Sequence, residues 1–112
     1  MDGYGAAVIL KAMEGLSARV TATAENIANA NTPNYRPLRV SFEDALAQAA
    51  RKDVAAVRAV KPKITQAPLS EGALRLDLEL ADETATAGRY SAMVELLNRQ
   101  LELQGLATMG NN

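Results

Sequence analysis

From Gly5 to Ala30 apolar and small residues return at heptad spacing, with Ala6, Met13, Val20 and Ile27 in one register and Ile9, Leu16, Thr23 and Ala30 in the other. Four heptads of this kind predict a long amphipathic helix. Gly15 interrupts it at a cost of about 1 kcal/mol relative to alanine. A second long pattern closes the chain. From Leu80 to Thr108 there is no proline, Leu80, Ala87, Val94 and Leu101 lie seven apart, and Tyr90, Leu97 and Gln104 form the second register. Met93, Leu96 and Leu103 widen this stripe beyond the seam of one helix pair, so contacts on more than one side are expected.

Between the two, the period breaks. Residues 31–40 read as a turn with an extended exit, because Pro33 and Pro37 each bias the preceding residue away from helix. Ser41 is placed to cap a short helix over 41–51, with Asp44 three residues on and Phe42, Ala45, Leu46 and Ala49 along one face. Residues 52–72 mix Val54, Val57, Val60 and Ile64 with basic residues and two prolines, which predicts loops with a short strand. The basic run from Arg51 to Lys63 reads as a solvated linker rather than a docking patch. "ALRLDLEL", residues 73–80, alternates leucine with charge and predicts an extended segment. The expected fold is therefore mainly α: two long terminal helices pairing as an antiparallel coiled coil around an irregular middle with a short helix and extended pieces. The division is a helix over 1–32, a connector over 33–79 and a helix over 80–112, all within one structural domain.

Composition thins the core that this plan can build. Of 112 residues 48% are hydrophobic, but 22 are alanine and the aromatics amount to one Phe and three Tyr. Alanine allows close helix approach yet buries little area, so neighbouring molecules are expected to supply part of the stability. Formal net charge is −1, which gives no electrostatic footprint for nucleic acid or an anionic membrane. Cysteine and histidine are both absent. That removes the disulfide framework, the usual general base and the commonest metal ligands. The carboxylates of Asp77 with Glu79 and of Asp82 with Glu83 suit a strand face and a helix start, the latter favoured by the macrodipole. The glycines are scattered singly, with no phosphate loop. No catalytic constellation, cofactor or metal site is expected. The apolar run Ala6 to Leu10 is too short for a signal sequence, and no stretch is long enough to span a membrane.

The most specific stretch is "ENIANANTPNYRP", residues 25–37, where four asparagines and two prolines end the first helix. Asn26 and Asn29 fall in its last turn, where their amides can bond backbone groups freed at the terminus. Asn31 and Thr32 suit the exit. Pro33 fixes φ for the first central position of a β-turn, and Asn34 stands where a type II turn needs positive φ. Tyr35 follows, free to pack back on a helix.

The run "SARVTATAENIANANTPNYRPLRVSFEDAL", residues 17–46, resembles the N-terminal signature of bacterial flagellar rod, hook and hook-filament junction proteins, approximately A-x-N-I-A-N-x-N-T-x-G-Y. Asn26, Ile27, Ala28, Asn29, Asn31, Thr32, Pro33 and Tyr35 match it, while Asn34 replaces the usual turn glycine. Arg36, Val40, Phe42 and Leu46 continue a pattern similar to that of the small proximal rod proteins of the FlgB type. Glu79, Arg89, Tyr90, Leu96 and Leu97 resemble the ending of that type, although Ala73 stands where asparagine is common. The resemblance implies a non-enzymatic structural subunit of the flagellar basal body, in the periplasmic rod, exported through the flagellum's own type III apparatus without a cleaved signal peptide. It implies assembly through the terminal helices, with Met13, Leu16, Val20, Ile27, Tyr90, Val94, Leu97 and Leu101 as their contact residues. The implied partners are copies of the chain itself, rod proteins of the FlgC, FlgF and FlgG types, a FliE-type adaptor, and the junction of the MS ring with the export gate. A cytoplasmic helical chaperone or adaptor that binds a partner's helix is the alternative; it would suit the wide C-terminal stripe and leave the asparagine-rich turn without a purpose.

Overall fold

The computed structural model describes residues 3–105; the predicted continuation of the last helix through Thr108 and the segment boundary at 112 lie outside them. Two long helices, α1 (Gly3–Ala28) and α4 (Leu76–Leu103), bracket the chain. Between them run β1 (Leu38–Ser41), α2 (Glu43–Ala50), α3 (Val54–Ala59), β2 (Lys63–Gln66) and a single 3-10 turn, Leu69–Glu71. Asn26 near the end of α1 meets Glu79 near the start of α4, and Ser17 and Val20 lie beside Ala87, Tyr90 and Ser91. The long helices are therefore antiparallel neighbours. The described residues form an elongated body of 54 × 31 × 15 Å.

Its core lies between α1 and the middle segment. Leu16 and Ala22 of α1 pack with Val40, Phe42, Leu46, Ala49 and Val57, and α4 contributes half-buried Tyr90 and Met93. Gly15 now has a reason. A Cβ at that position would clash with the Phe42 ring, so the α1 backbone must present no side chain there. The helical cost of glycine is offset by the seating of the chain's one phenylalanine.

Several elements differ from their sequence expectation. Ser41 does not cap α2; it is the last residue of β1, paired with Lys63, and Phe42 takes the N-cap position with no side-chain cap bond. Burial of the Phe42 ring decides the boundary, and Glu43 and Asp44 in the first turn complement the macrodipole. The predicted strand falls at β2, but the valines before it form α3. Asp53 starts that helix by accepting a 2.7 Å bond from the Ala56 N–H, and Val57 is wholly buried beneath it.

The largest correction concerns residues 73–80. The leucine and charge alternation does not make an extended edge beyond Arg75, whose backbone is the last extended one before α4 begins at Leu76. Leu76, Leu78 and Leu80 are 44%, 58% and 50% exposed, whereas Glu79 is 4% exposed. The charged residue goes inside and the leucines stay outside. Asp77 and Glu79 in the first turn favour the helix start, and partners for Glu79 on α1 and β1 set which face turns inward. The inner face of α4 thus runs through Glu79, Glu83, Thr86, Tyr90, Met93, Leu97 and Gln100, with Leu80 and Ala87 outside. Much of that face is polar, and the Thr86 hydroxyl and one oxygen each of Glu83 and Gln100 are buried without a partner among the described residues. Burial, with the nearby Asp82 and Glu79 charges, pushes the Glu83 carboxyl above the ordinary carboxylate range. The first helix likewise ends at Ala28 rather than at 32.

Candidate functional site: a buried polar joint after the first helix

The last turn of α1 unwinds through backbone bonds from Asn29 N–H to the Glu25 carbonyl and from Ala30 N–H to that of Ile27. The Asn29 amide also donates to the Glu25 carbonyl at 2.9 Å, and accepts from the Thr32 hydroxyl at 3.0 Å. Together they satisfy groups that a helix end leaves open. Thr32 then accepts from the Tyr35 N–H across a β-turn whose third residue, Asn34, sits at φ 61. With Pro33 at the second position, this is the type II geometry that needs a left-handed residue. Asn31, Thr32, Pro33 and Asn34 are exposed, Ala28 is exposed, and Ile27 is half-buried.

Asn26 is wholly buried, and it holds the joint together. Its Oδ1 accepts from the Leu38 N–H at 2.8 Å and the Tyr35 hydroxyl at 2.9 Å, while its Nδ2 donates to the Leu38 carbonyl at 3.0 Å and to Glu79 at 3.1 Å. One side-chain amide thus imitates a neighbouring strand toward Leu38 and reaches the last helix with its remaining hydrogen. Every donor and acceptor position it has in this site is used. Burial raises the Tyr35 phenol above its ordinary pKa, so it remains a donor near neutrality.

Glu79 completes the cluster from α4. Its other oxygen accepts from Arg39 at 2.7 Å, and Arg39 also bonds Glu71. Burial works against the Arg39 charge, but the bonds to Glu71 and Glu79 outweigh it and hold the guanidinium above its ordinary range. A buried carboxylate persists only when paired and hydrogen-bonded in this way.

A second clamp lies two turns earlier on α1. Arg19 grips Glu43 with both terminal nitrogens, at 2.6 and 2.8 Å, donates to the Val40 carbonyl at 2.7 Å, and places its guanidinium carbon 5.0 Å from the Phe42 ring centroid. That fork lowers the Glu43 carboxyl to about 2. Arg19 and Asn26 therefore fasten β1 along one side and set the direction in which the chain leaves the helix. An open groove of about 410 Å³ runs past this joint, between the turn residues and Ala67–Leu69.

Residues 9–36, the part of α1 and the turn that build the joint from the N-terminal side, match the family model described as flagella basal body rod protein. That segment of the chain is similar to the flagella basal body rod proteins. The match spans about a quarter of the 112 residues. No curated protein and no solved structure matches the chain. Among the described residues, no helix is long and apolar enough to cross a membrane.

Of the motif residues singled out in the sequence, Asn26, Asn29, Thr32, Pro33, Asn34 and Tyr35 come together at the joint, and Asn31 enters none of its bonds. The helix residues are spread along the antiparallel pair: Leu16 is buried, and Met13, Val20, Ile27, Tyr90, Val94, Leu97 and Leu101 are half-buried. Arg19, Arg39, Glu43 and Glu71 carried no signal as clamp residues. For Glu79 the sign was present but read the wrong way round, as one polar position of a strand.

Proposed function

We propose that the chain is a structural subunit of the proximal rod, of the FlgB type, which assembles with copies of itself and with neighbouring rod proteins through its terminal helices. The observation that carries this reading is the buried Asn26 joint inside the family-matched segment. A subunit of a helical tube must leave its first helix in one direction in every copy, and the amide that bonds Leu38, Tyr35 and Glu79 at once allows one exit. The outer side of α4 supports assembly. Leu78, Leu96 and Leu103 are 58%, 42% and 79% exposed, on a helix whose inner face is largely polar. Apolar surface of that kind marks a place for further helices. Torque would pass from copy to copy through such contacts, and export without a cleaved signal would follow from the type III route of the flagellum. A helical adaptor would explain the leucines but not the joint.

The test uses Leu96→Glu, on an exposed position where the fold tolerates charge. Cells producing it should export the subunit yet fail to swim, and detergent-extracted basal bodies should lack it. Normal motility with the variant present in basal bodies would remove α4's outer side from assembly; absence of the wild-type protein from basal bodies would remove the rod reading.

A further inference from the structure

The two edges of the small sheet are treated differently. β1 and β2 pair antiparallel with Leu38 opposite Gln66, Arg39 opposite Thr65, Val40 opposite Ile64 and Ser41 opposite Lys63. Just outside the ladder, the Ala67 N–H donates to the Pro37 carbonyl at 2.7 Å. Proline has no N–H to return the bond, and the Arg36 guanidinium supplies it to the Ala67 carbonyl at 2.9 Å. Because bonded pairs alternate in an antiparallel ladder, Arg39 with Thr65 and Ser41 with Lys63 exchange the inner bonds. Leu38 and Val40 therefore direct their backbone groups away from β2, and Ile64 and Gln66 direct theirs away from β1.

On the β1 side three of these four groups are covered. Asn26 takes the Leu38 N–H and carbonyl, and Arg19 takes the Val40 carbonyl. On the β2 side, no bond to the backbone of Ile64 or Gln66 comes from the described residues. All four β2 residues are exposed, and Ile64 is 56% exposed although its cross-strand neighbour Val40 belongs to the core. Charge along this edge is basic. Lys61 and Lys63 have no ion-pair partner among the described residues, whereas Arg39 is occupied by Glu71 and Glu79.

We propose that the open edge of β2 accepts one added strand from a partner polypeptide, an extended segment in which apolar and acidic residues alternate. An incoming strand would take the free N–H and carbonyl groups of Ile64 and Gln66, place an apolar side chain beside Ile64 on the face that continues from Val40, and bring carboxylates to Lys61 and Lys63. Lysine on an edge repels a second basic edge, so the same strand of another copy is not the occupant. The inference concerns a surface apart from the helices and does not depend on the rod reading.

The probe is a synthetic peptide alternating glutamate and valine, added to the full chain while backbone amide exchange is followed by NMR. Exchange at Ile64 and Gln66 should slow by about tenfold or more, with little change at Thr65, whose N–H already faces β1. A peptide with lysine replacing each glutamate should leave them fast. Ile64→Pro removes an outward N–H without touching the β1 ladder and should abolish the protection while Thr65 stays slow. Lys61→Glu combined with Lys63→Glu, which keeps every backbone group, should reverse the preference in favour of the lysine peptide. Unchanged exchange at saturating acidic peptide overturns the proposal. So does equal protection by both peptides, or a charge-reversed chain that still prefers the acidic one.

Discussion

Replacing Asn26 with alanine removes four hydrogen bonds from a side chain that no solvent reaches. The Leu38 N–H would lose its only side-chain partner among the described residues, at about 1–3 kcal/mol, its carbonyl would keep only a long 3.4 Å bond from Arg39, and the bond to the charged Glu79 adds about 1.5–3 kcal/mol. The two full losses come to about 2.5–6 kcal/mol, against total stabilities of about 5–15 kcal/mol for folded domains. Asn26→Ala should accordingly be unfolded in plain buffer and recover helicity only in an osmolyte that favours burial. Urea titration followed by circular dichroism, with both proteins in that osmolyte, gives the difference. Asn26→Asp sharpens the test because it keeps the shape and the acceptor while discarding both donated hydrogens. The introduced carboxylate would face the Leu38 carbonyl and Glu79, so its folded pKa rises above the unfolded value of about 3.9. With a raised folded pKa, the deficit relative to wild type is largest at neutral pH and shrinks as pH falls through that pKa. An Asn26→Ala loss under about 1 kcal/mol would refute the clamp, as would an Asn26→Asp variant equal to wild type at neutral pH.

Gly15→Ala should lose about 1–3 kcal/mol by overpacking against Phe42 in spite of alanine's better helix propensity, and Phe42→Leu should recover much of that loss in a double-mutant cycle by thermal melting. Arg19 lowers the Glu43 carboxyl from about 4.5 to about 2, so its contribution is fully present above pH 4.5 and is lost as pH falls through 2. The Glu43 side chain is 56% exposed, which screening reduces to about 1 kcal/mol; acid titration of Glu43→Gln should lack that increment. At φ 61, Asn34→Gly should be neutral or slightly stabilising, and Asn34→Val should cost about 1–2 kcal/mol in the same melts.

The two long helices and the turn between α1 and β1 were legible because each follows from local rules: heptad spacing, proline's fixed φ, and asparagine's tolerance of positive φ. What escaped was decided at a distance. Glu79 is buried by Asn26 and Arg39, 53 and 40 positions away along the chain, and no window around "ALRLDLEL" contains them. Its alternation therefore argued for a strand while the joint required a helix with the acid turned inward. Ser41 was a sound cap by local chemistry, but the Phe42 ring needed the gap at Gly15, which settled where α2 begins. α3 was hidden by β-branched valines, and Asp53, which caps it by accepting from the Ala56 N–H, was not read as a helix start. Asn26 was correctly placed at a helix end, yet the strand it would imitate could not be read from its neighbours.

The bond between Asn26 and Glu79 also orders events in time. Its two ends are 53 residues apart, so loop closure makes it one of the slower contacts to form, while the β-turn at 32–35 closes within a single short segment. A chain that has emerged only as far as the 3-10 turn carries Arg19 and Glu43, β1 and β2, but its Asn26 amide lacks the Glu79 carboxylate and Arg39 has Glu71 alone. The joint is thus a late contact, under the control of the last helix. A variant at Glu79 should slow the final folding step, whereas one at Asn34 should alter the turn from the start.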